Sequence, residues 1–281
     1  MIKVAVLPQG SVSDEAVRHL LRGLEYELVY YKLITDVCLS TANGDTDYCV
    51  VPIENTIEGS VSAHLDFMIH DMDLPIQAEW VFPPTQNLIG FPDTDLAAVE
   101  KVLSHQVAIA QCREYLKANL SHAEKEVVSS TVEGVKQVQR EGNPNWVAVG
   151  TQLAADIHGL TVLAKDIGDH ENNMTRFLLV GPKELNGKRS EHLKTSILIT
   201  LPEDYPGALH QVLSAFAWRR INLSRIESRP TRKQLGNYYF YIDIEDSMDS
   251  VLLRGALKEI EAIGCELRVL GSYPSFNYSE V

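Results

Sequence analysis

Between Lys32 and Lys101 the chain has no lysine or arginine. Across all 281 residues the formal net charge is −13. Residues 1–189 carry 15 Lys/Arg against 26 Asp/Glu, a net of −11, and residues 190–281 carry 10 against 12, a net of −2. A surface so acidic repels polyanions, so neither nucleic acid nor an anionic membrane is an expected partner. Long apolar runs are missing as well. Nothing approaches the ~18 residues of a membrane-spanning helix. The opening Met1-Ile-Lys-Val-Ala-Val-Leu7 runs straight into a turn, which reads as a first strand and not a signal peptide. Cys38, Cys49, Cys112 and Cys265 show no Cys-x-x-Cys spacing. That removes zinc and dithiol redox readings and fits buried thiols in a reducing cytoplasm. His64, His70, Asp71 and Asp73 lack ligand spacing, so no metal is expected.

An anion bound by the stretch without basic residues must be held by backbone N–H groups, hydroxyls and amides. Positive charge has to come from elsewhere, and Arg176 is the candidate.

Short apolar runs alternating with amphipathic stretches fill the first 180 residues or so, which predicts α/β architecture with largely parallel sheets. Residues 48–53 form a buried strand that Pro52 should end or push to an edge. Helices are expected at 13–23, 34–43, 62–72, near 96–102, from the 104–106 turn to 118, at 131–141 and at 151–158. Residues 182–191, charged and poor in apolar side chains, read as the core of a linker over 182–194. After it the order strand, helix, strand, strand, helix, strand over residues 195–270 is a ferredoxin-like βαββαβ unit. No structure is assigned to the tail, 274–281.

Six clusters carry the polar chemistry. The turn at Pro8-Gln-Gly-Ser-Val-Ser13 lies between a strand and a helix, where an anion can be received and where an ordinary turn is the plainer reading. The string Val50-Val-Pro-Ile-Glu-Asn-Thr-Ile-Glu-Gly-Ser-Val61 delivers Glu54, Asn55 and Thr56 at the C-terminal end of a strand, where α/β proteins bind ligands, with Ser60 in the turn beyond. Ser104 and Gln111 lie seven residues apart, about two helical turns. His105 between them is read either as an acid–base group or as structural. Ser130 and Thr131 open a helix whose N–H groups can receive a carboxylate. Thr175-Arg176-Phe177 sets a hydroxyl and a guanidinium at the mouth of an apolar strand. The arginine is read either as a two-pronged carboxylate clamp or as a structural salt bridge. In the C-terminal unit, Gly207, Ala208, Leu209 and His210 open a helix, and the next strand carries Asn222, Leu223, Ser224, Glu227, Ser228, Arg229 and Pro230. A small ligand can sit between the two segments.

With these strings in their order and spacing, the chain resembles the monofunctional prephenate dehydratase family over nearly all of residues 1–273. The strongest carriers are Val51-Pro-Ile-Glu-Asn-Thr-Ile-Glu-Gly-Ser-Val61, Thr175-Arg-Phe177, and Glu227-Ser-Arg-Pro230 after Gly207-Ala-Leu-His210. Departures fall at Leu7-Pro-Gln-Gly-Ser-Val-Ser13 and at Ser104-His-Gln-Val107. The helical extension of chorismate mutase fusions is not expected. The resemblance implies a two-lobed catalytic domain, like type 2 periplasmic binding proteins, over 1–181, with lobe 1 at about 1–84 and 170–181 and lobe 2 at 85–169. An ACT regulatory domain over 195–273 would follow. It implies a hydro-lyase that converts prephenate to phenylpyruvate, water and CO2 without a cofactor, in phenylalanine biosynthesis. Thr175 would act at the leaving hydroxyl, and Asn55, Ser104 and Gln111 would orient the substrate. Glu54, Thr56, Ser60, Ser130, Thr131, Arg176 and Phe177 complete the expected substrate site. L-phenylalanine would be the effector, bound by residues 207–210 and 222–230 across a homodimer or homotetramer interface. Arogenate dehydration and a non-catalytic two-lobed ligand sensor are the alternatives.

Overall fold

Residues 1–203, 205–232 and 238–280 are described by the computed structural model. Val281 of the expected tail, and Asp204 and residues 233–237 of the expected C-terminal domain, lie outside the described residues. The first lobe comprises β1 (Ile2–Val6), α1 (Val12–Leu20), β2 (Tyr26–Tyr30), α2 (Ile34–Ala42), β3 (Tyr48–Asn55), β4 (Gly59–Ser60), α3 (Ser62–Asp71) and β5 (Ile76–Phe82). The second lobe comprises β6 (Asn87–Gly90), β7 (Lys101–Ser104), α4 (Gln106–Gln111), α5 (Arg113–Asn119), β8 (Glu124–Val127), α6 (Thr131–Glu141), β9 (Trp146–Gly150), α7 (Gln152–His158) and β10 (Thr161–Ala164). The chain then returns to the first lobe as β11 (Thr175–Val180). The C-terminal unit is β12 (Leu193–Thr200), α8 (Ala208–Ala217), β13 (Leu223–Pro230), β14 (Tyr238–Ile244), α9 (Val251–Ala262) and β15 (Glu266–Phe276).

Local chemistry sets the helix ends. Ser11, Ser130, Thr151 and Ser250 accept N–H groups in the first turns of α1, α6, α7 and α9. Gly142 and Gly159 close α6 and α7 in the left-handed conformation that glycine adopts most cheaply. Residues 96–102, expected as helix, form one 3-10 turn and then enter β7. The chain there has to supply a strand between β8 and β9, and this pairing overrides local preference. The helix expected to reach 118 breaks at Cys112 into α4 and α5.

Two sheets result. One runs β13-β14-β12-β15-β5-β11-β3-β1-β2, with β4 paired to β3, and the other runs β10-β6-β9-β7-β8. Both are mixed, contrary to the largely parallel sheets expected. β11 re-enters the first lobe from the far side, so it runs antiparallel to both of its neighbours, β3 and β5. Pro52 neither ends β3 nor lies at an edge. It sits in an interior strand at a register shift, where Arg176 pairs with Glu54 and Phe177 with Pro52. The bulge accommodates a residue that cannot donate to the ladder.

Each face of the large sheet has its own core. On one face Val4, Val6, Val50, Trp80, Phe177 and Leu179 pack against Ala16, Val17 and Leu20 of α1. On the other, Val51, Ile53, Leu178 and Val180 meet α2, α3, and Leu198, Tyr241 and Tyr273 of the C-terminal unit. The tail is structured, because Ser275 and Phe276 of β15 pair in parallel with Glu79 and Trp80 of β5.

Candidate active site

The bulge at Ile53 sorts the strand ends. Asn55 and Thr175 are register partners, as are Glu54 and Arg176. Alternation sends the first pair to one face and the second to the other. Arg176 lies on the side of Leu178, against the C-terminal unit, and Thr175 on the side of Phe177.

A continuous amide network surrounds Thr175. Asn55 Nδ2 lies 3.0 Å from Thr175 Oγ1, 2.8 Å from Asn173 Oδ1 and 3.2 Å from the Met174 carbonyl. Asn55 Oδ1 accepts the N–H groups of Ile57 and Glu58 at 2.9 and 3.1 Å, closing the turn into β4. Asn173 Nδ2 donates to Gln111 Oε1 at 3.1 Å, which ties α4 of the second lobe to β3 of the first. Thr56 Oγ1 donates to the Asn172 carbonyl at 2.7 Å and accepts from Met174 N at 2.9 Å, fixing the segment before Thr175. Thr175 Oγ1 thus accepts a hydrogen bond but donates to none of the described residues, which leaves its proton for a guest. Asn173 was missed in the sequence, although it stands two residues before the threonine. An asparagine in a polar run signals a turn as readily as a site.

Other expected site residues go elsewhere. The guanidinium of Arg176, expected as a carboxylate clamp, is occupied. It pairs with Asp243 at 2.6 Å and with Glu79, and lies 3.5 Å from Glu54. Burial works against its charge, and Asp243 and Glu79 outweigh that, so its pKa rises. The salt-bridge alternative describes this geometry. Glu54 shares that face and also lies 3.6 Å from Arg225 of β13. Phe177 is 1% exposed and stacks on Trp80 in the core. The buried Ser104 hydroxyl donates to the Val149 carbonyl at 2.7 Å. Ser60 Oγ is held by Arg225 and Glu227. Ser130 caps α6 through Glu133 N, with Thr131 as the first helical residue. His105 caps α4 through Val107 N at 3.4 Å. In the first turn, Gly10 N donates to Asp14, so the turn's own carboxylate holds the N–H expected for an anion. Thr151 Oγ1 donates to the Gly10 carbonyl at 2.6 Å and Leu153 N to Glu15 Oε1 at 3.1 Å, both across the lobes. Gly10 sits at φ +85°, and a Cβ there would meet Ala154 Cα at 3.1 Å, so the lobes approach closely only with glycine.

The expected effector residues divide between the two faces of one sheet. Register pairs Ser228 with Phe240 and Glu227 with Tyr241. Phe240 packs on the side of α8 and α9, and Tyr241 on the side of the first lobe. Ser228 therefore faces the helix side, whereas Glu227 and Arg229 face the first lobe, where Arg229 grips Asp66 at 2.7 and 2.6 Å. A strand cannot turn consecutive side chains toward one ligand. Gly207 caps α8 at φ 95°, with Ala208 buried, Leu209 half-buried and His210 exposed. Asn222 donates to Glu245 at 2.6 Å, Leu223 packs against the helices, and Ser224 and Pro230 are exposed.

Comparison with known proteins agrees with this architecture. A family model described as "Prephenate dehydratase" matches residues 4–185, and one described as "ACT domain" matches residues 195–262. A prephenate dehydratase of Bacillus subtilis (strain 168) is 40% identical over 258 residues, covering 89% of this chain and 90% of that protein. One from Methanocaldococcus jannaschii is 38% identical over 277 residues, 98% of each. The crystal structure of an Arthrobacter aurescens prephenate dehydratase in complex with L-Phe superposes with a TM-score of 0.88 at 34% identity, covering 97% of this chain and 90% of that one. On the length and strength of these matches, the chain belongs to the prephenate dehydratase family, with an ACT domain after the catalytic lobes.

Proposed function

We propose that this protein dehydrates and decarboxylates prephenate to phenylpyruvate, and that L-phenylalanine restrains it through the ACT domain. The observation that carries the reading is the Thr175 hydroxyl, fixed by Asn55 and with its own proton given to none of the described residues. Prephenate, a dianion, takes up one proton and gives the phenylpyruvate monoanion, CO2 and water. Hydroxide is a poor leaving group, so a donor at the departing oxygen lowers the barrier. Asn55 polarises Thr175 by donating to its oxygen, which makes the hydroxyl a better donor toward the leaving group. The ring carboxylate leaves as CO2 as the ring becomes aromatic, and the proton consumed comes in net from solvent. Gln111 closes the site from the second lobe, through its bond from Asn173. With Arg176 occupied elsewhere, the N–H groups at the start of α6, beside Ser130 and Thr131, are the donors assigned to a substrate carboxylate.

The same reading takes residues 1–181 as catalytic and 195–273 as regulatory, joined by 182–194. L-phenylalanine is assigned to the helix-side face, at Gly207, Ala208, Asn222, Ser224 and Ser228. The enzyme works in the cytoplasm, which suits its unpaired buried cysteines. β13 is the terminal strand of its sheet, which suits pairing of subunits into a homodimer or homotetramer. Phenylpyruvate formation from prephenate by the purified protein, with and without L-phenylalanine, is the test. Turnover suppressed by phenylalanine supports both halves. Absence of turnover with folded protein and intact prephenate overturns the catalytic half, and arogenate is then the substrate to try.

A further inference from the structure

We infer that strand β13 of the ACT domain positions the β3–β4 hairpin, and through it Asn55, with Arg225 as the positioning residue. The hairpin cannot hold itself. β4 is two residues long and exposed, and pairs with β3 only at Glu54–Ser60 and Asn55–Gly59. A ribbon that short is marginal in water without outside support. Beyond the bonds of Asn55 and Thr56, its link to the C-terminal unit centres on one side chain deep in the interface. Arg225, 8% exposed, donates to Ser60 Oγ at 2.7 Å and to Glu227 Oε2 at 2.7 Å, and its second terminal nitrogen lies 3.6 Å from Glu54 Oε2. Ser60 in turn donates to Glu227 Oε1 at 3.2 Å, closing a ring of three side chains. Arg229 fastens the same strand to α3 through Asp66.

Every link points toward the site. Ser60 pairs with Glu54, Gly59 with Asn55, and Asn55 holds Thr175. Without Arg225, the side-chain tie left between the hairpin and β13 among the described residues is the 3.2 Å bond from Ser60 to Glu227, and Glu54 loses its cation from that strand. The alternate residues of β13, Ser224, Ile226 and Ser228, are exposed on the opposite face. A ligand that orders that face therefore acts on Asn55 through the same strand. This last step alone rests on the regulatory role proposed above.

Arg225→Gln, Arg225→Lys and Asp66→Asn test the inference in the full-length protein. Amide hydrogen exchange of residues 56–61 needs no substrate, and it should rise about tenfold or more in R225Q, less in R225K and about threefold in D66N. With prephenate, kcat of R225Q should fall by roughly tenfold while KM and Tm stay close to those of the parent, since a displaced Asn55 misplaces the donor. R225K should recover part of the loss, which lost bulk packing would not give. Exchange in R225Q and D66N equal to the parent overturns the anchor. If R225Q does not fold, D66N decides alone. A parent without turnover removes the proposed reaction and leaves the exchange result to judge the hairpin. L-phenylalanine should alter exchange of these amides in the parent and not in R225Q, and an equal change in both overturns the coupling step.

Discussion

Asn55 and Thr175 face each other across β3 and β11, and the Asn55 amide nitrogen lies 3.0 Å from the threonine oxygen. The Thr175 hydroxyl is thus held by the strand ladder from below and by an amide from the side. Thr175→Ala should lower kcat by about a hundredfold or more, the usual worth of a placed proton donor, with Tm nearly unchanged. Thr175→Ser keeps the hydroxyl but loses the methyl that restricts its rotamers, and should retain most of the activity. Single-turnover formation of phenylpyruvate separates these outcomes from slow product release.

Asn173 is the joint between lobes, since it accepts from Asn55 and donates to Gln111. Asn173→Ala should cost on the order of tenfold in kcat/KM, the equivalent of about one or two hydrogen bonds. Gln111→Ala should fall in the same range. The double variant should lose less than the product of the two, because both remove the same bridge. A kinetic double-mutant cycle measures it.

Much of this was legible in the sequence, and the reason differs from part to part. Strings such as residues 48–55 announce a buried strand delivering polar side chains, because burial and chemistry are both local there. The direction of Arg176 was not legible. Its partners Glu79 and Asp243 lie 97 and 67 residues away, and nothing local tells a free guanidinium from a paired one. Ser104 keeps the spacing expected of a substrate contact, yet its hydroxyl satisfies a carbonyl of β9, again a matter of tertiary neighbours. The faces of β13 are legible from alternation alone, a rule that divides Glu227 and Arg229 from Ser228.

Arg176 and Asp243 join β11 to the sheet of the ACT domain in a nearly dry interface, at 2.6 Å with side-chain exposures of 10% and 0%. Burial alone would raise the Asp243 carboxyl, but Arg176, helped by Ser196, holds it below its usual range. Asp243→Asn should lower the unfolding free energy by on the order of 3 kcal/mol, because it strips one carboxylate from a buried cation. Urea unfolding at neutral pH measures the loss. Since the folded pKa is depressed, the stabilisation is present above the unfolded value and is lost only as pH falls through the lower folded value.

Glu15 behaves in the opposite sense. Burial raises its pKa from 4.5 to about 7, against the Leu153 N–H that lowers it and with Asp14 and Asp156 adding to the rise. A carboxyl raised in this way favours the folded protein most below 4.5, and that advantage fades as pH climbs to about 7. The full change is on the order of 3 kcal/mol. Glu15→Gln keeps an acceptor for Leu153 and should flatten the dependence of Tm on pH between those limits. A thermal melt series on parent and variant shows whether it does.

The pairing of Ser275 and Phe276 with Glu79 and Trp80 changes what kind of attachment the ACT domain is. The chain leaves the first lobe after β11, builds the ACT unit and pairs with the first lobe again through the end of β15. Topologically the unit is therefore an insertion with two junctions, and its final strand covers the edge that β5 would otherwise present. Transplanting it onto another enzyme as a C-terminal appendix would carry across one seam and leave the other behind.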